Sequence, residues 1–192
     1  KVLSAIAPHV REDAMIISIA AGIPMSRIDA QLGGKGRLVR VMPNTPMLVG
    51  AGVSAVAAGP RATDADVAWT CKLLSEGGGT SVRVSEEMMD AVTAVSGSGP
   101  AYFFYLVEAM VAAGVAEGLP PETAQLLAVQ TCLGAGKLLA ETGESPEVLR
   151  AKVTSPGGTT QAAIESMDAA AVKKNLIAAI RAAAERSRQL GK

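Results

Sequence analysis

The sequence predicts two regions of different class, an α/β region over residues 1–85 followed by an all-α region over residues 86–192. Three observations predict this. Short apolar runs closed by Gly and Pro alternate with helix-like stretches as far as Ser85. Beyond Ser85 no strand signal survives, and helix-length segments separated by Gly, Pro, Ser or Thr fill the remainder.

Taken in order, Val2-Leu3-Ser4-Ala5-Ile6 reads as the middle of an amphipathic helix. With Lys1 first and no signal-peptide pattern, the chain is expected to be a piece of a longer protein. Ala14 to Ala20 is a short apolar run closed by Gly22 and Pro24, which suits a strand buried on both faces of a parallel sheet. Pro24 to Leu32 reads as a helix stopped by Gly33-Gly34. Arg37 to Met42 and Gly52 to Ala58 are the next strands. Thr63 to Glu76 follows as a helix, capped by Thr63 or Asp64 and ended by Gly77-Gly78-Gly79. Thr80 to Val84 alternates polar and apolar residues and is expected to be a last edge strand. The alternation is that of the back half of a Rossmann-like, dinucleotide-binding domain. After it, segments 86–94, 100–117, 121–142, 145–153, 159–167 and 169–190 read as helices. Ala101 to Ala116 contains Glu108 and is shorter than the roughly 20 residues of a membrane span, so it is expected to be a buried helix.

Composition narrows the function. Apolar residues make up 49% and charged residues 19%, so a packed core is expected rather than disorder. Only 3% are aromatic, and Lys plus Arg equals Asp plus Glu at 18 each, which leaves neither stacking platforms nor a net field for nucleic acid or an anionic membrane. The expected partners are a small molecule and a second copy of the chain. Cys71 and Cys132 form no CxxC or Cys/His cluster, so neither a disulfide framework nor a metal site is expected, and a reduced, cytoplasmic setting fits. His9 reads as a surface or capping residue, Trp69 as packing, and Glu108 as a buried carboxylate paired at a helix or subunit contact.

Three motifs place Gly, Pro and small hydroxyl residues at the mouth of an apolar element. Val41-Met42-Pro43-Asn44-Thr45-Pro46 ends a strand, and its two prolines leave the Asn44 amide and Thr45 hydroxyl as polar groups that could hold a nicotinamide carboxamide. A rigid turn without a ligand is the alternative. Ser96-Gly97-Ser98-Gly99-Pro100 opens a helix, with Ser98 as cap and Pro100 in the first turn; taken alone it is more often helix-start grammar than a site. Val153-Thr154-Ser155-Pro156-Gly157-Gly158-Thr159-Thr160 opens another helix and would gather amides and hydroxyls at one point, where the helix dipole favours a carboxylate.

In this order, and together with Ile19-Ala20-Ala21-Gly22-Ile23, these motifs resemble the signatures of the pyrroline-5-carboxylate reductase family. The resemblance runs along the whole chain, including Gly114-Val115 and Gly118-Leu119-Pro120. It implies hydride transfer from NADPH or NADH to the C=N carbon of 1-pyrroline-5-carboxylate, giving L-proline. By the same resemblance Ser155, Gly157, Gly158, Thr159 and Thr160 match the carboxylate-binding loop, and Thr93 a hydroxyl that hydrogen-bonds the ring nitrogen. Ala21, Gly22, Pro43, Asn44 and Thr45 match the segments around the nicotinamide, which Ser98 and Pro100 face. A family carboxylate near the substrate falls around Glu141 to Glu144. The helical region resembles the family's dimerisation domain and implies an obligate homodimer, with a larger ring such as a decamer left open. Nothing here matches the family's GxGxxG-like turn for the cofactor pyrophosphate, since Gly33-Gly34-Lys35-Gly36 follows a helix. Two alternatives therefore stand: a non-catalytic dimerising fragment, and a β-hydroxyacid dehydrogenase-like reductase, a class that uses a helical lysine as acid, although Lys137, the only lysine between Lys72 and Lys152, lies in no matching motif.

Overall fold

The structure, a computed structural model, describes residues 2–191. Its elements are α1 (Val2–Ile6), β1 (Met15–Ser18), α2 (Met25–Gln31), β2 (Arg37–Met42), β3 (Val53–Ala58), α3 (Asp64–Glu76) and β4 (Thr80–Arg83). They are followed by α4 (Met89–Val92), α5 (Gly99–Ala116), α6 (Pro121–Thr142), α7 (Pro146–Lys152), α8 (Thr159–Ala169) and α9 (Val172–Leu190). Strands and then helices therefore appear in the predicted order.

The chain divides into two compact units, residues 1–100 with 179–192, and residues 101–178. Strand structure ends at Arg83, close to the expected boundary at residue 85, yet residues 86–100 belong with the sheet. The reason is packing: Met89 is fully buried in the cluster of Leu38, Ala55 and Ala57, and Val92 packs against it.

Strand order in the sheet is β1-β2-β3-β4. β1 and β3 run parallel to β2 and β4 respectively, but β2 and β3 are antiparallel, with Val41 opposite Val56. The sequence expectation of a parallel sheet is corrected here. Segment 43–52 between β2 and β3 carries only a 3-10 turn over Thr45–Val49, and a parallel crossover needs about a dozen residues or more. β1 is half-buried along its length rather than buried on both faces, because it lies at an edge of this sheet. β2 and β3 form the centre. Leu38, Ala55 and Ala57 point to one side, against Met25 and Ile28 of α2 and Leu32 just after it. Val39, Val41 and Val56 point to the other, against Val67 of α3. Alternation along each strand sends successive residues to opposite faces, so an apolar run serves two helix layers.

α3 starts with a capping box: Thr63 accepts from the Asp66 amide, and the Asp66 carboxylate accepts from the Thr63 amide at 2.8 Å. Thr63, not Asp64, is the cap. Arg37 adds an Nε bond to Asp66 at 3.0 Å. That bond, with the donors from Thr63, lowers the Asp66 carboxyl from 3.8 to about 2. Trp69, expected to pack, is 51% exposed on the outer face of α3.

In the unit 101–178, α5 and α6 form a hairpin turned at Gly118, whose φ of +97° suits glycine. Gly114 and Ala124 meet there so closely that a Cβ on Gly114 would lie 3.2 Å from the Ala124 Cβ. Apart from Ala124 and Ala128, this unit buries little. α5, expected to be a buried helix, exposes Phe103 at 58%, Phe104 at 62% and Tyr105 at 74%. Glu108 is exposed in the single chain, so no helix of its own chain buries it, and of the two expected contacts the subunit contact is left. Helical structure continues through Glu86–Ala116, 31 residues, long and apolar enough to cross a membrane.

Candidate active site

The loop after β1 leaves its strand at Ser18 and exposes Ile19, Ala20 and Ala21. Such a position, outside the carboxyl end of a strand, is where open α/β sheets receive ligands. Gly22 differs from its neighbours. It is buried at φ +71°, and a Cβ there would stand 2.8 Å from the Leu190 Cβ and 2.9 Å from the Ser187 carbonyl oxygen. Glycine is required because the end of α9 presses on this loop.

At the end of β2, the Asn44 side chain is already engaged: its Oδ1 accepts from the Val53 amide at 2.9 Å, and its Nδ2 donates to Ser96 Oγ at 3.4 Å. Asn44 thus ties the start of β3 to the helix that carries Thr93. Both atoms of its side-chain amide therefore already have a partner within the chain. Pro43 is half-buried beside it, and Thr45 is exposed at the head of the 3-10 turn. Sequence reasoning did not single out Ser96, which was visible only as a member of the motif.

Residues 93–97 form a π-helical turn inside the 86–116 stretch, so Ser96 to Pro100 is not a loop that starts a helix. The Ser98 amide donates to the Thr93 carbonyl at 2.8 Å, closing the wide turn, and Ser98 is a half-buried bend. Pro100, also half-buried, has no amide for a helical bond to Ser96, and a widened turn just ahead of a proline relieves its ring. Gly97 allows Met42 to pack there, since a Cβ would fall 2.3 Å from the methionine methyl. Thr93 is half-buried, and its Oγ1 donates to the Met89 carbonyl at 2.8 Å. With its proton committed, this oxygen faces any ligand as an acceptor.

An ion pair between a buried arginine and a half-buried glutamate supports these segments. Arg40 is 4% exposed, and its Nη1 donates to Glu86 Oε1 at 2.7 Å; the same oxygen accepts from the Met25 amide at 2.9 Å. Sequence reasoning missed both residues, although an arginine inside the apolar run of β2 was the available signal.

In the other unit, Ser155 to Gly158 turn sharply into α8. The Gly158 amide donates to the Ser155 carbonyl at 3.0 Å, and Gly157 has a φ of +68°. α8 has no side-chain cap, and its first helical bond runs from the Ala162 amide to the Gly158 carbonyl at 3.2 Å. The amides of Thr159, Thr160 and Gln161 therefore precede the helical ladder and point out of its start. Gly157 contributes conformation rather than a donor, because its own amide is taken by Gln161 Oε1 at 2.7 Å. Thr160 is half-buried, whereas Ser155 and Thr159 are exposed. Glu144 pairs with Lys152 at 2.5 Å, and Glu141 is exposed. Among the described residues no group of His, Cys, Asp or Glu could hold a metal ion.

Residues 86–190 match the family model described as pyrroline-5-carboxylate reductase dimerisation. The pyrroline-5-carboxylate reductase of Methanosarcina acetivorans is 43% identical over 191 residues, covering all of this chain and 70% of that protein. That of Pseudomonas aeruginosa is 45% identical over 194 residues, covering 99% and 71%. Among solved structures, the Plasmodium falciparum pyrroline carboxylate reductase with NADP bound superposes with a TM-score of 0.91 at 30% identity, covering all of this chain and 76% of that one. The Coxiella burnetii pyrroline-5-carboxylate reductase gives 0.90 at 37% identity, covering all of this chain and 71% of that one.

These matches define the class, an oxidoreductase. Within it, the chain belongs to the pyrroline-5-carboxylate reductase family.

Proposed function

We propose that the chain reduces 1-pyrroline-5-carboxylate to L-proline, with the start of α8 as the carboxylate site and the Thr93 hydroxyl as a partner for the ring nitrogen. The observation that carries this is the uncapped start of α8, where three amides and the hydroxyls of Thr159 and Thr160 precede the helical ladder. A carboxylate there completes the missing cap and meets the positive end of the helix dipole. Gly157 and Gly158 set the turn that aims these donors. The Thr93 hydroxyl suits the ring nitrogen. Its oxygen is held as an acceptor by the bond to Met89, and a protonated ring nitrogen needs an acceptor.

NADPH or NADH, when bound, supplies the hydride that reaches the imine carbon, while the ring nitrogen carries a proton from solvent. The exposed loop at Ala20 and Ala21 leaves room beside β1 for a flat ring. Gly22, Pro43, Asn44 and Thr45 shape that region, and Asn44 does so by locking the β2–β3 connection to Ser96. Ser98 and Pro100 bound it from the helical side. What the protein contributes is mainly orientation of the imine and stabilisation of its carboxylate. A homodimer formed through the helical unit, a cytoplasmic setting and the absence of nucleic-acid or membrane partners belong to the same proposal.

Replacing Thr160 by Val in the intact enzyme tests it. Loss of one hydrogen bond to a charged group, about 1.5–3 kcal/mol, raises KM for pyrroline-5-carboxylate about 10- to 100-fold. KM for NADPH stays near its original value. An equal rise for both ligands makes the α8 loop structural and removes the carboxylate site. Running the same assay with NADH in place of NADPH settles the nucleotide preference.

A further inference from the structure

We propose that the end of α9 with the residue after it, Ser187 to Gly191, is a positioning element for hydride transfer, acting on the loop after β1 and on the helix of Thr93 through Ser187 and Asp90. The inference rests on the reading that those two segments face cofactor and substrate.

Three observations in the α/β unit carry it. First, the contact between α9 and the loop is backbone-close on both sides. A Cβ on Gly22 would meet Leu190 and the Ser187 carbonyl, and one on Gly191 would stand 2.6 Å from the Gly22 carbonyl oxygen and 3.1 Å from Pro24. Neither segment can move toward the other without the partner yielding. Second, Ser187 is 2% exposed and donates to Asp90 Oδ1 at 2.5 Å. A hydroxyl on a carboxylate is among the stronger neutral-to-charged hydrogen bonds. Third, Asp90 stands next to Met89, whose carbonyl fixes the Thr93 hydroxyl, and one turn after Glu86, which holds the Met25 amide beyond the loop. Asp90 and Thr93 are three residues apart, so they share a helix face. Ser187 thus sets the helix that aims Thr93, while Leu190 and Gly191 set the loop at Gly22.

A cavity of about 360 Å³ lies at this junction, bounded by Gly22, Arg40, Glu86, Asp90 and Arg188 among others. It gives water access to Asp90. Removal of the Ser187 hydroxyl would therefore leave a carboxylate that water can satisfy, with little cost to folding, while the link between α9 and α4 is gone. That separation between geometry and stability makes the role testable.

In the intact enzyme, Ser187→Ala and Asp90→Ala should each lower kcat about 10-fold, with KM for both ligands within about twofold, as expected for a small misplacement of reacting groups. The isotope effect with nicotinamide-deuterated NADPH should rise, because hydride transfer becomes more rate-limiting. Asp90→Asn keeps an acceptor oxygen for Ser187 and should retain a kcat within about twofold of the parent. Thermal unfolding of every variant is recorded alongside. Unchanged kcat in Ser187→Ala and Asp90→Ala overturns the proposal, as does a fall that follows the unfolded fraction or an Asp90→Asn as slow as Asp90→Ala. Thr93→Val separates the two levels. If it slows the enzyme while Ser187→Ala does not, only the positioning role is lost; if it has no effect, the reading of Thr93 falls and the positioning role with it.

Discussion

The α/β unit closes its own core, whereas the helical unit 101–178 leaves most of its large apolar side chains in water. Leu32, Leu38, Val39, Val41 and Val56 are buried within the former to 2% exposure or less. In the latter only Ala124 and Ala128 fall in the buried core, while Leu126, Leu127, Leu133 and Leu138 on α6 are exposed by half or more. An exposed apolar surface of that extent marks an association site. The family match supplies the occupant, since residues 86–190 correspond to a dimerisation region. The difference teaches that one unit is specified by its own sequence and the other by its sequence taken twice.

The sharpest way to break this comparison is to put charge on the helical surface. Phe104→Glu and Leu127→Glu should each abolish the dimer at micromolar concentration. A two-fold interface loses each side chain twice, about 3–6 kcal/mol for a buried Phe or Leu before the cost of the new carboxylates. Sedimentation velocity reads the change. Two variants that stay dimeric with unaltered thermal stability would show that these faces meet water in the assembly as well.

The same contrast decides how much could be read from the sequence. Strand and helix positions in the α/β unit were legible because each apolar run is short, bounded by Gly or Pro, and buried by its own chain. The antiparallel pairing of β2 and β3 was not, since direction depends on how segment 43–52 is spent, and periodicity does not record direction. For α5 the pattern gave the helix but not its surroundings, because an apolar helix reads alike whether its own chain or another covers it. Of the candidate site, the α8 start was legible from Gly157-Gly158-Thr159-Thr160, as consecutive small residues leave amides open. The engagement of Asn44 with Val53 and Ser96, and of Ser187 with Asp90, was not, since partners 52 and 97 residues apart leave no local mark.

A substitution inside the closed core sharpens the contrast from the other side. Leu38→Ala should destabilise the α/β unit by about 2–5 kcal/mol, the range for removing a fully buried leucine side chain from a packed core. Denaturant titration followed at Trp69 reads it, because Trp69 sits on α3 of that unit. The dimer dissociation constant should hold. If it shifts together with the unfolding free energy, the two units are not independent in the way their cores suggest.

The smallest expected effect comes from Asp66, at the capping box that fixes α3 to the sheet. Its carboxyl lies at about 2 rather than 3.8, held down first by the Arg37 guanidinium and then by the Thr63 amide and hydroxyl. A carboxylate whose value is lower when folded contributes stability that is complete above the unfolded value and is lost as pH falls through the folded one. The contribution should therefore be full above about pH 4–5 and disappear as pH approaches about 2. Asp66→Asn removes the charge and should lower stability near neutrality while narrowing the gap to the parent across that window. A gap that stays constant with pH would mean that the Arg37 contact adds nothing beyond the hydrogen bonds of the cap, and that the edge of the self-sufficient unit is held by packing alone.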